Sequence, residues 1–106
     1  MVKKEIIEIV KNFINAMKSK NMNINKVLLF GSFANEKDSL WSDIDIAVIS
    51  SDFGKDRFIE RTLLTSIACK IDPRIEPYPI GQYEFEEEDW KTMIHEIKLN
   101  GIEIAA

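Results

Sequence analysis

At 106 residues, 45% hydrophobic and 30% charged, the chain has the composition of one soluble globular domain, too small for a core plus a separate binding lobe. A formal net charge of −4 speaks against an extended nucleic-acid footprint, and the lone cysteine, Cys69, excludes an internal disulfide. No apolar run approaches the ~20 residues that span a bilayer, and the start, Met1-Val2-Lys3-Lys4-Glu5, opens no apolar leader. The expectation is a cytoplasmic, reducing setting with no nucleic-acid template and no membrane.

From Lys3 to Lys20 the residues Ile6, Ile7, Val10, Phe13, Ile14 and Met17 recur at helical spacing among Lys, Glu and Asn, which predicts a one-faced helix. Asn21-Met22-Asn23 ends it by competing for backbone hydrogen bonds. Lys26 to Phe30 reads as a short buried strand. After Gly31, Ser32 is placed to cap a short helix running through Asn35 and Glu36. Lys37 to Ser42 reads as a loop and Asp43 to Ser50 as a second strand. Ser51 to Asp56, with Gly54, is a turn.

A second helix is predicted from about Arg57 to Lys70, its inner face being either Phe58, Ile59, Leu63, Ile67 and Ile71 or Leu64 and Ala68. Asp72-Pro73 stops it. Arg74-Ile75-Glu76 reads as a short third strand, with Pro77 and Pro79 limiting further pairing. The acidic stretch from Gln82 to Asp89 reads as the solvated start of a third helix, favoured by the helix dipole. That helix carries Trp90, Ile94 and Ile97 on one side and stops at Asn100-Gly101. Ile102-Glu103-Ile104 can add a last short strand. This order of elements predicts an α/β (α+β) fold, a small mixed sheet packed with helices.

The chemistry concentrates between Gly31 and Ile49. A glycine and a serine directly after an apolar strand can offer backbone N–H groups and Oγ to a phosphate. Strand period puts Asp43 and Asp45 on one face, where two carboxylates reach the same hard cation and offset its charge. Asp45 lies inside an apolar strand, where an unpaired carboxylate would be costly. Other residues have simpler readings: Cys69 as buried packing, His95 as a surface or half-buried helix residue, and Trp41 as a loop anchor or a base-stacking group.

The glycine-serine pair Gly31-Ser32, about a dozen residues before Asp43-Ile44-Asp45 on the next strand, resembles the signature of the DNA polymerase beta nucleotidyltransferase superfamily. A chain this short, with no second domain, is similar to the minimal nucleotidyltransferases within it. The resemblance implies transfer of a nucleoside monophosphate, AMP from ATP, to a hydroxyl of a partner protein with two Mg²⁺ ions. It implies Asp43 and Asp45 as shared metal ligands, Gly31 and Ser32 as holders of the terminal phosphates, and a third carboxylate on the following strand, for which Glu76 is the candidate. It also implies an antitoxin paired with a HEPN-domain ribonuclease toxin, which some such antitoxins inactivate by adenylylating a tyrosine. Phe33 and Glu36 depart from the family pattern, which often has arginine and glycine there. Two alternatives remain: a non-catalytic antitoxin acting by occlusion, and a small-molecule nucleotidyltransferase of the antibiotic-modifying type.

Overall fold

The computed structural model describes residues 2–34, 42–87 and 93–105. Its elements run α1 (Lys4–Ser19), β1 (Lys26–Phe30), β2 (Ile44–Ser50), α2 (Arg57–Ala68), β3 (Ile75–Gly81), α3 (Gln82–Glu86), α4 (Met93–Asn100) and β4 (Ile102–Glu103). The sheet order is β3-β2-β1-β4. β1 pairs antiparallel with β2 and β4, and β2 pairs parallel with β3 across the α2 crossover. The result is the mixed sheet that the order of elements predicts. Among the described residues no helix is long and apolar enough to cross a membrane.

Strand alternation explains both layers. Val27, Leu29, Ile44, Ile46 and Val48 pack on one face against Ile6, Val10, Phe13 and Met17 of α1 and Leu64, Ile67 and Ala68 of α2. On the other face Leu28, Phe30, Ala47, Ile49 and Ile80 meet Ile97 of α4. With a layer on each side, β2 is buried along almost its whole length, as a near-continuous apolar strand requires. Asp45 interrupts that run on the α4 side.

Of the two inner faces open to α2, the structure selects Leu64 and Ala68, joined by Ile67 and by Glu60. Phe58 and Ile59 stay exposed, at 80% and 63%. A polar contact fixes the rotation of the helix: the Glu60 carboxylate accepts the N–H groups of Gly54, Lys55 and Asp56 at 3.0, 3.1 and 3.2 Å. Asp56 caps the helix by accepting from the Ile59 N–H at 3.1 Å. Glu60, Leu64, Ile67 and Ala68 then fall on one stripe at helical spacing. The same rotation corrects the reading of Cys69, which is exposed just past the end of α2. His95 is half-buried on α4.

β3 does not stop at Glu76. It continues through both prolines to Gly81, in register with β2 from Ile44↔Ile75 to Ser50↔Gly81. The Ile44 N–H donates to the Arg74 carbonyl at 2.8 Å, so even-numbered residues of this segment turn their backbone groups toward β2. Pro77 and Pro79 therefore direct their missing donors to the open edge, where no ladder bond is lost.

The acidic stretch also differs from a solvated helix start. Glu84 sits in α3, accepts the Gly81 N–H at 2.9 Å and pairs with Arg57, while Glu86 and Glu87 are exposed. Trp90, with Glu88 and Asp89, lies outside the described residues. So does most of the short helix expected after Ser32, of which residues 31–34 form a turn.

Candidate active site

The site starts where β1 ends. Phe30 pairs with Asp45 across the antiparallel ladder, and the chain then turns at Gly31 with φ +73, a left-handed conformation that glycine adopts without a Cβ penalty. A Cβ on Gly31 would lie 2.3 Å from Asp45 Oδ2, so the missing side chain is the space the carboxylate occupies. Ser32 follows, half-buried in the turn. Phe33 is buried in the core beneath α1 and α2, so where the family often has an arginine this chain has an apolar anchor for the loop. Glu36 lies outside the described residues.

The parallel ladder sets Asp45 beside Glu76. Asp43, exposed at the mouth of β2, is close enough to act on Asp45 electrostatically. Partial burial, then the charge of Asp43 and more weakly that of Glu76, holds the Asp45 carboxyl above the usual aspartate range, against the lowering influence of Tyr78 and Arg61. Three sequence-predicted carboxylates are thus brought to one end of the β2/β3 pair.

Two residues that sequence reasoning missed complete the surroundings. The Tyr78 hydroxyl donates to Asp45 Oδ1 over a long 3.5 Å, and its ring meets Phe30 edge-on at 5.2 Å. Burial, followed by the Asp45 charge, pushes the Tyr78 hydroxyl up from its ordinary range. Arg61, from α2, bonds Glu76 Oε2 at 2.7 Å and lies over the Tyr78 ring at 4.8 Å. Tyr78 had a signal, since it lies two residues beyond Glu76 and shares its face of a strand. Arg61 had none, because its contact is made across the sheet edge.

Hard oxygen donors of like charge, brought together at one end of two neighbouring strands, are suited to a divalent cation such as Mg²⁺. Asp43 and Asp45 would hold it, with Glu76 as the third donor once turned from Arg61. Among the described residues, no three acidic, histidine or cysteine side chains already converge as a metal cradle.

The family model described as polymerase beta, nucleotidyltransferase matches residues 11–106, which include all four strands and every residue of this site. The chain belongs to the polymerase beta nucleotidyltransferase family. No curated protein matches it. Solved structures similar to this nucleotidyltransferase domain include a toxin–antitoxin with AMP-PNP, at TM-score 0.66 and 20% identity, covering 91% of this chain and 72% of that one. A structure described as a candidate nucleotidyltransferase from Sulfolobus solfataricus gives TM-score 0.66 and 18% identity, with coverages of 93% and 78%. A mutant of the toxin–antitoxin MntA-HpeT gives 0.63 and 18%, with coverages of 91% and 71%. At these identities the likeness establishes a shared nucleotidyltransferase fold.

Proposed function

We propose that these 106 residues form one Mg²⁺-dependent nucleotidyltransferase domain that moves AMP from ATP to a hydroxyl of a partner protein. In this reading it is the cytoplasmic antitoxin of a pair whose toxin is a HEPN-domain ribonuclease. The observation that carries the reading is the meeting of Gly31, Asp45 and Glu76 from three neighbouring segments, with Asp43 beside them. The toxin–antitoxin neighbours support the setting, and the AMP-PNP in one supports an adenine nucleotide as donor. The mutant neighbour carries Asp-to-Glu changes two residues apart, the spacing of Asp43 and Asp45 here.

In the transfer an acceptor O–H gives its proton to water and its oxygen bonds the α-phosphorus, while the bond from that phosphorus to the departing pyrophosphate breaks. The reaction needs in-line positioning and charge neutralisation rather than a covalent enzyme intermediate. The turn at Gly31 and the Ser32 hydroxyl would bind the terminal phosphates. Asp43 and Asp45 would fix the donor side, and Glu76 the acceptor side. Bound to these carboxylates, Mg²⁺ supplies the positive charge that the phosphates and the acceptor oxygen require.

The test is intact-mass spectrometry of the toxin expected from the adjacent reading frame, after incubation with this chain, ATP and Mg²⁺. Added AMP groups, lost with Asp45→Asn, support transfer. An unmodified toxin that is silenced by mixing alone would replace transfer with occlusion.

A further inference from the structure

We propose that Arg61 is a positioning residue that latches Glu76 away from the metal until a divalent ion displaces it. The inference rests on the metal reading of Asp43, Asp45 and Glu76 given above. Arg61 belongs to α2, which packs on the opposite face of the sheet from Asp45, and it reaches Glu76 around the open edge of β3. Its guanidinium bonds Glu76 Oε2 at 2.7 Å and is steadied by the Tyr78 ring at 4.8 Å. Tyr78 in turn touches Asp45 Oδ1 at 3.5 Å, so one arginine links two of the three carboxylates.

The alternative is that Arg61 orients Glu76 toward the metal, as carboxylates behind a metal ligand often do. The latch is favoured by one observation and one electrostatic argument. Asp43, Asp45 and Glu76 do not converge as a cradle among the described residues, and the contact that holds Glu76 is the one to Arg61. A fixed cation at the acceptor side also repels an incoming dication, which a neutral or anionic orienting group would not do. The pair is weak enough to open, since its side chains are 44% and 39% exposed and water screens their attraction. The chain alone should therefore hold a divalent ion poorly, and ion and nucleotide should bind together, with the phosphates adding the oxygen ligands that Glu76 withholds.

The experiment is a Mn²⁺ titration of the nucleotide-free protein, with free Mn²⁺ read by electron paramagnetic resonance. Arg61→Gln should tighten Mn²⁺ binding about two- to five-fold, the range set by a partly exposed ion pair. The gain should vanish in the Glu76→Gln background, because the latch acts only through that carboxylate. Arg61→Lys, which keeps the charge but loses the planar fork, should fall between and serves if Arg61→Gln unfolds on a thermal melt. Unchanged or weaker binding in the Arg61 variants would make Arg61 an orienting group and overturn the latch. An equal gain with and without Glu76 would overturn it too, leaving only a general electrostatic effect. Asp45→Asn separates the two levels: if it leaves Mn²⁺ affinity intact, the metal reading itself is what has failed.

Discussion

Gly31→Ala is the sharpest probe of how tightly the β1 turn is built around Asp45. The substitution does two separable things. It places an alanine at φ +73, where the left-handed conformation costs an L-residue roughly 1–2 kcal/mol. It also puts a methyl carbon 2.3 Å from Asp45 Oδ2, whereas close C···O contacts lie near 3.3 Å, so the carboxylate must retreat by about 1 Å. That oxygen ends a rotatable side chain, so the retreat costs the fold little. It costs the site far more, because misplacing a positioned group by 1 Å can lower a rate on the order of 10²-fold. Urea unfolding should show a loss of about 1–2 kcal/mol, and transfer from α-labelled ATP should fall about 100-fold. In the Asp45→Ala background the clash is absent and the alanine should cost only its backbone share. Wild-type transfer by Gly31→Ala would refute the claim that the glycine exists to make room for Asp45.

Asp45→Asn should stabilise the metal-free protein while abolishing transfer. The folded carboxyl titrates above its unfolded value, so its charge costs stability increasingly as pH rises from the unfolded value through the raised one, and the gain should disappear as pH falls below the ordinary carboxylate range. Thermal melts at neutral and acid pH check the sign. Asp43→Asn, at an exposed position, should leave the melt near wild type and remove transfer. Glu60→Ala should lose about 2–3 kcal/mol in urea unfolding, since it strips the acceptor from three backbone N–H groups. Burial raises the Glu60 carboxyl, but those bonds outweigh it and hold it below the usual range. Its contribution is therefore present above the unfolded value and fades as pH falls through the folded one, so the deficit of the variant should narrow in acid. Glu76→Gln should lower the turnover rate far more than nucleotide affinity, read by calorimetry beside a transfer assay.

Much of the frame was legible because it follows from local pattern. The apolar spacing of α1 and the nearly continuous apolar run of β2 announce themselves in sequence, and an aspartate inside such a run needs a reason. What was not legible depends on contacts made far along the chain. α2 carries two apolar stripes, and the choice between them fell to Glu60, a charged residue whose burial is satisfied by a turn and not by any periodic signal. β3 looked truncated because a proline is harmless or fatal according to which side of the strand has a neighbour, and sequence does not say which. Reading the strand as finished at Glu76 also hid Tyr78. Arg61 lies fifteen residues from its partner Glu76 on a different element. Only the packing of α2 against β3 could reveal it.

The prolines of β3 have a consequence for how this molecule behaves in company. A sheet edge with free donors invites another chain to add a strand, the route to swapping and aggregation. Along this rim Pro77 and Pro79 remove alternate donors, so an incoming strand would find carbonyls without the matching N–H groups. The opposite rim is β4, two residues long, which offers too little backbone to template anything. Among the described residues, both borders of the sheet thus offer little backbone to an added strand. A partner that meets these two rims should therefore be held by side chains and not by an added strand.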